Sequence, residues 1–186
     1  RQVQLLERLL EDALDLSRVT HGELTLRRER VSLLEIVEGA LETAAPFLLE
    51  RGHVLTVALP DSPVYLRVDP VRIAQVLANL LENAARYTGP GGRIRVEAVR
   101  DEGALAISVS DSGIGIRADQ LAFVFEMLEQ GHRPGPAAGG GLGIGLPLSK
   151  SLAEMHGGSL SAASEGEGLG STFTLRLACP EVLPTE

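Results

Sequence analysis

The residue pattern predicts an α/β fold, a two-layer sandwich whose mixed sheet is covered on one face by about three helices, with an N-terminal helix remnant attached. Three observations carry the prediction. Apolar residues recur at spacings of three and four over residues 2–19 and 70–87, the helical period. The stretches 93–99 and 104–110 alternate around Asp101-Glu102-Gly103, as the arms of a β-hairpin do. A second such pair, 160–164 and 172–178, surrounds a glycine-rich turn.

In chain order, the first helix carries Leu6, Leu9, Leu10, Ala13 and Leu16 on one face and Glu7, Arg8, Glu11, Asp12 and Asp15 on the other; Gly22 follows as a C-cap. Its apolar stripe can pair with another helix, with another chain, or with its own domain. Leu24–Arg28 alternates and reads as a short strand. Ser32 is a good N-cap for a second helix reaching Glu50, with a kink expected at Pro46. Strands are expected at Val54–Leu59 and Tyr65–Val68. Asp69-Pro70 then opens the helix 70–87 with an N-cap and a first-turn proline. One face of that helix holds Ile73, Val76, Leu77, Leu80, Leu81 and Ala84; the other holds Arg72, Gln75, Asn79, Glu82, Asn83, Arg86 and Tyr87. After the first hairpin come a short helix at 117–129, a Gly/Pro-rich loop at 130–145, and a helix at Leu146–Met155 ended by His156-Gly157-Gly158.

The chain has 186 residues, enough for a self-sufficient core, and a net charge of −8 from 25 acidic and 17 basic residues. Without a long basic stripe, nucleic acid is not expected as the main partner. The single Cys179 permits no intrachain disulfide, which suits a reducing, cytoplasmic setting. No apolar run approaches the ~20 residues of a membrane span. The chain starts at Arg1 in mid-helix pattern and reads as a fragment, leaving open a membrane anchor upstream.

Three segments carry chemistry. Asn79 and Asn83 are four apart and leave the same helix face; amide oxygens suit magnesium, which takes few protein ligands beside phosphate. Arg86 and Tyr87 lie beside that stripe, a cation for phosphate and a ring for a base. Asp111, in Asp111-Ser112-Gly113-Ile114-Gly115, follows a strand where a carboxylate can accept a hydrogen bond from the amine of adenine; Gly113 and Gly115 allow close backbone approach. Gly139–Gly145, including Gly141, Leu142, Gly143, Ile144 and Gly145, leads into a helix, and its N–H groups form a nest for phosphate. It is neither a P-loop nor a dinucleotide fingerprint. Thr172 opens the last strand, where its hydroxyl can share a water with Asp111 and adenine.

Together these segments resemble the catalytic, ATP-binding domain of sensor histidine kinases, in the superfamily shared with DNA gyrase, MutL and the large heat-shock chaperone. Asn79–Asn83 is similar to the N box, Asp111-x-Gly-x-Gly to the first glycine box, Gly141–Leu146 to the second, and Gly170-Ser171-Thr172-Phe173 to the closing motif. The resemblance implies residues 1–22 as the end of a dimerisation helix, 23–30 as a linker strand, 31–180 as the ATP-binding domain and 181–186 as a tail. It implies ATP and Mg2+ as ligands, with Asn83 on the metal and Asn79 ordering the metal or its water, the one position with a catalytic role. Arg86 would approach phosphate, Tyr87 the base, Asp111 the adenine amine, and the amides of Leu142, Gly143 and Ile144 the phosphate oxygens.

The expected activity is transfer of the γ-phosphate of Mg-ATP to a histidine outside this sequence. A response regulator receiver domain is then the next partner, and the full-length protein a homodimer through its N-terminal helix. Two departures bear on this. Phe125-Glu126-Met127-Leu128 has Leu where the family's F box usually has a second aromatic. None of His21, His53, His132 and His156 sits in a phosphoacceptor motif. Alternatives are a non-catalytic nucleotide-binding or dimerisation module, and a related serine kinase or ATPase; Asn rather than Glu at position 79 argues against the ATPase.

Overall fold

The computed structural model describes residues 2–101, 103–126 and 143–178. Its elements are α1 (Gln2–Thr20), β1 (Glu29–Ser32), α2 (Leu33–Glu50), β2 (Val54–Ala58), β3 (Tyr65–Val68), α3 (Pro70–Tyr87), β4 (Arg93–Asp101), β5 (Ala104–Asp111), α4 (Ala118–Leu121), α5 (Gly145–Met155), β6 (Ser159–Ala163) and β7 (Ser171–Ala178). Five strands form one mixed sheet in the order β2-β4-β5-β7-β6; β2 runs parallel to β4 and the other pairs are antiparallel. Helices α2, α3 and α5 cover one face, as the residue pattern predicts.

Period-two alternation decides which face is covered. Ile94, Val96 and Ala98 of β4, Leu105, Ile107 and Val109 of β5, and Phe173, Leu175 and Leu177 of β7 are buried against the helices. The intervening residues form the open face, where hydroxyl pairs Ser108–Thr174 and Ser110–Thr172 bridge neighbouring strands at 3.0 and 2.9 Å. The apolar face of α3 is buried as predicted, Ile73, Val76 and Leu80 completely.

Local chemistry fixes the helix starts. Ser32 and Glu35 form a capping box on α2, with reciprocal bonds of 3.2 and 3.3 Å. Asp69 caps α3 by accepting from the Arg72 N–H at 3.2 Å, and Pro70 fills the first turn. α2 continues through Pro46, which sits on an exposed turn where solvent can take the carbonyl that proline leaves unpaired.

Two expectations are corrected. The segment Leu24–Arg28 is not a strand: among the described residues it pairs with none, and the Arg27 N–H is taken by the Asp69 carboxylate at 2.9 Å. Pairing begins only at Glu29, where β1 meets β3 in a separate antiparallel ribbon. The helix expected at 117–129 is helical only over Ala118–Leu121 and continues as turns to Phe125; residues 127–129 lie outside the described residues.

Among the alternatives for α1, the described residues show it against its own domain. Arg72 forms a two-pronged ion pair with Asp15, its second contact at 3.1 Å, and the Gln75 amide donates to Asp12 at 3.1 Å. Leu16 is buried, while Leu10 and Leu14 remain exposed. No helix of the described residues is long and apolar enough to cross a membrane.

Candidate functional site

The polar face of α3 gathers the site. Asn79 is buried, and its amide nitrogen donates to the fully buried Ser149 hydroxyl of α5 at 3.3 Å. A β-carbon placed on Gly145, the first residue of α5, would stand 3.6 Å from the same amide, in ordinary van der Waals contact. α5 starts without a side-chain cap: Ile144 contributes none, and no acidic residue occupies its first turn. Its leading N–H groups and positive dipole end therefore suit an anion beside Asn79. Gly143, just upstream, adopts the left-handed φ of +70° that turns the chain into the helix. Gly141 and Leu142 of the expected phosphate loop lie outside the described residues.

Asn83, half-buried, sits one turn further along α3. Arg86 and Tyr87 complete the helix, both half-buried. The Arg86 carbonyl takes a 3.1 Å bond from the Arg51 guanidinium. The Tyr87 carbonyl accepts from the Ile114 N–H at 3.1 Å, which ties the end of α3 to the loop after β5.

Asp111 ends β5 with its side chain on the helix side of the sheet, in step with Val109. One carboxylate oxygen accepts from the Gly113 N–H at 2.8 Å and lies 3.5 Å from the Thr88 hydroxyl; the other accepts from Ser171 at 2.5 Å. Around it the glycines serve backbone packing. A β-carbon on Gly113 would collide with the Tyr87 carbonyl, and one on Gly115, at φ +70°, with the Gly166 carbonyl. The nearest neighbours of both glycines are carbonyls of this chain.

Thr172 is not brought to Asp111. It pairs with Ser110 on the open face of the sheet, and Ser171 stands opposite Asp111 on the helix side. The signal was available in the alternation, since Ser171 shares its parity with the core residue Phe173. Ser149 and Thr88 were likewise not singled out. A hydroxyl among apolar neighbours was the only trace of the first, and the junction after Tyr87 the only trace of the second.

Phe125, the described part of the F-box segment with Glu126, packs edge-on against Phe173 at 6.1 Å, with the Lys150 ammonium 5.7 Å from its ring centre. An open groove of about 290 Å³ borders Asp111 along the β6–β7 turn, lined by Ser164, Glu165, Leu169 and Thr172 among others. It includes neither Asn79 nor Asn83, so the converging polar groups mark the site better than this depression does.

These geometries agree with the comparisons. The family described as histidine kinase-, DNA gyrase B-, and HSP90-like ATPase matches residues 68–181, from the start of α3 past β7. The chain belongs to this family. The sensor protein DivL of Caulobacter vibrioides is 37% identical over 172 residues, covering 92% of this chain and 22% of that protein. The circadian input-output histidine kinase CikA of Synechococcus elongatus is 36% identical, over 90% of this chain and 22% of its own length. This ATPase-family chain thus spans about a fifth of those relatives. Among solved structures, the histidine kinase AdeS of Acinetobacter baumannii superposes with a TM-score of 0.77 at 26% identity, over 97% of this chain and 81% of that one. Full-length ShkA, solved in complex with AMPPNP, gives 0.81 at 25% identity, over 97% of this chain and 37% of that one. The family expected from the motifs is the family found, and the fold is that of the ATP-binding domain of histidine kinases.

Proposed function

We propose that this domain binds Mg-ATP along α3 and presents the γ-phosphate to a histidine outside this sequence. The observation that carries the reading is the convergence along one helix. The end of α3 is bonded to the Asp111 loop, and its middle, at Asn79, is bonded to Ser149 of α5 and faces Gly145 at the start of that helix. Asp111 accepts the adenine amine and Tyr87 packs on the base. The N–H groups at Gly143 and Ile144, with Leu142 and Gly141 before them, receive the phosphates beside Gly145, and Arg86 approaches them from α3.

The donor set fits magnesium. No cluster of three acidic, His or Cys groups able to hold a metal occurs among the described residues, and a hard ion that keeps water and phosphate ligands needs none. Asn83 would hold the ion, with Asn79 ordering it or its water; when bound, it offsets phosphate charge. In the transfer, an imidazole nitrogen of the acceptor forms a bond to the γ-phosphorus as the bond to the departing ADP oxygen breaks. The domain contributes position and charge neutralisation. A response regulator receiver domain then takes the phosphoryl group, and α1 is read as the C-terminal end of the dimerisation helix.

The test is titration with ATP, with and without magnesium, followed by transfer to a supplied acceptor-helix domain. Magnesium-dependent binding and a labelled acceptor are expected. Absent binding refutes the proposal, and binding without transfer would assign a nucleotide-binding module that does not catalyse.

A further inference from the structure

We infer that Ser164 is a positioning residue for the base end of the site, holding together the two backbone segments whose donors grip the Asp111 carboxylate. The inference rests on the nucleotide reading above. One Asp111 oxygen accepts from the Gly113 N–H, in the loop that follows β5, and the other from the Ser171 hydroxyl, at the start of β7. A carboxylate held from one side only can still turn about its last bond. Held by two segments, it keeps its orientation for as long as the segments keep their separation.

Ser164, the residue after β6, bridges those segments. Its oxygen accepts from the Ile116 N–H at 2.9 Å, 48 residues away on the Asp111 loop. Its proton goes to the carbonyl of Gly170, the residue before Ser171, at 2.7 Å. An N–H can only donate and a carbonyl can only accept, so neither bond can reverse. The Gly166 N–H adds a third contact at 3.3 Å, and the Gly166 carbonyl, at 3.4 Å, is the more distant of the two acceptors for the proton. Two backbone bonds run alongside, from the Gly168 N–H to the Ile114 carbonyl at 2.7 Å and from the Gly170 N–H to the Gly113 carbonyl at 3.1 Å. The segments meet without slack: a β-carbon on Gly115 would collide with the Gly166 carbonyl, and one on Gly170 with the Asp111 carbonyl. Without the hydroxyl, the Ile116 N–H and the Gly170 carbonyl need water in its place, and that water has to part the two segments. The backbone bonds stay, so the grip on Asp111 loosens by one bond rather than failing. The loss should appear in recognition of the adenine amine, not in the general affinity for a triphosphate.

The experiment uses Ser164→Ala, Ser164→Cys, which keeps the volume with a weak hydrogen-bonding group, and Ser164→Thr, which restores the hydroxyl. The first readout needs no ligand. Exchange of the Gly113 N–H, which is bonded to Asp111 and not to Ser164, should accelerate in Ser164→Ala and return to the wild-type rate in Ser164→Thr. The second readout is titration with ATP and with inosine triphosphate, which lacks the amine. ATP affinity should fall about fivefold in Ser164→Ala, the size expected for one ordinary hydrogen bond, less in Ser164→Cys and not in Ser164→Thr. Affinity for inosine triphosphate should hold in all three. In the Asp111→Asn background, Ser164→Ala should add nothing further. Should the alanine variant not fold, Ser164→Cys carries the comparison with Ser164→Thr. A purely structural role would lower Tm and both nucleotide affinities together. Equal losses for the two nucleotides, unchanged Gly113 exchange, or a full further loss in the Asp111→Asn background would overturn the role of Ser164 while leaving the nucleotide site intact. Wild-type protein that binds ATP no better than inosine triphosphate would overturn the reading of Asp111 itself, and this inference with it.

Discussion

Replacing Asp111 by Asn tests the base end of the site with little change of shape. A carboxylate offers about four lone-pair positions. Three donors already approach this one: the Gly113 N–H at 2.8 Å, the Ser171 hydroxyl at 2.5 Å and the more distant Thr88 hydroxyl at 3.5 Å. One position is left, which is where an exocyclic amine can donate. In Asp111→Asn the amide oxygen keeps the Gly113 bond, and the Ser171 hydroxyl can reverse to accept from the new nitrogen. The remaining N–H then confronts the ligand amine, donor against donor. A hydrogen bond to a charged group contributes about 1.5–3 kcal/mol, so ATP affinity should fall by about 10- to 150-fold. Stability should change far less, about 1 kcal/mol for the weakened internal bonds, which for a domain of this size is about 2–4 °C in Tm. Isothermal titration with ATP and with inosine triphosphate, which has an oxygen in place of the amine, is the assay. Wild-type protein should prefer ATP and the variant should lose that preference. An ATP affinity within about twofold of wild type, or a preserved preference for ATP, would show that Asp111 does not read the amine.

Gly170→Ala forces a side chain onto φ +72° and drives its β-carbon into the Asp111 carbonyl, whereas Gly157→Ala, at φ +76°, meets nothing. Denaturant midpoints should put the second near the ~1 kcal/mol backbone cost and the first well above it. Arg72→Ala leaves the Asp15 carboxylate, only 10% exposed, with the neutral Gln75 amide at 3.3 Å in place of a cation, so amide exchange over Asp12–Thr20 should accelerate; unchanged exchange would mean that the ion pair does not hold α1. His156 is held neutral: burial lowers its pKa, with Arg28 nearby acting in the same direction against the opposing effects of the Leu152 carbonyl and Asp69. Its Nε2 accepts from the Asp69 N–H at 3.0 Å and its Nδ1 donates to the Leu152 carbonyl at 2.7 Å. The unfolded chain then binds the proton first, so the stability His156 contributes is complete above the ordinary value of 6.5 and is lost as pH falls from there toward the lowered folded value. His156→Gln, which cannot take up the proton, should flatten that acid limb in unfolding curves from about pH 8 to about pH 5.

Most of this architecture was legible because α3 and the β4–β5 hairpin obey single rules: one helical period, one N-cap with proline, one alternation. The positions of Asn79, Asn83 and Asp111 were legible for the same reason, since they stand on the elements where those rules put them. What could not be read depended on long-range partners. Nothing local says that the Arg27 N–H will be taken by Asp69, 42 residues on, and so keep Leu24–Arg28 out of a sheet. Nor does α1 reveal that its acidic face, rather than its leucines, meets Arg72 and Gln75. The closing motif draws attention to the Thr172 hydroxyl, whereas strand parity selects Ser171 as the residue that faces Asp111.

The polar side of α3 explains why one helix can serve both fold and site. Arg72, Gln75, Asn79 and Asn83 follow spacings of three and four, so they form one ridge along its length. A ridge of this kind, enclosed by α1 and α5, is stable only if its members are matched individually. Arg72 is matched by Asp15, Gln75 by Asp12, and Asn79 by Ser149. The eight residue steps from Asn79 to Tyr87 rise about 12 Å along the axis, which separates the α5 end from the Asp111 end without any intervening element. Because the opposite face of α3 supplies the buried contacts to the sheet and α2, that spacing is set by the core rather than by a ligand. The two ends are therefore held at a fixed distance before anything binds, so adenine and phosphates docking as proposed would meet partners whose separation costs no further ordering of α3.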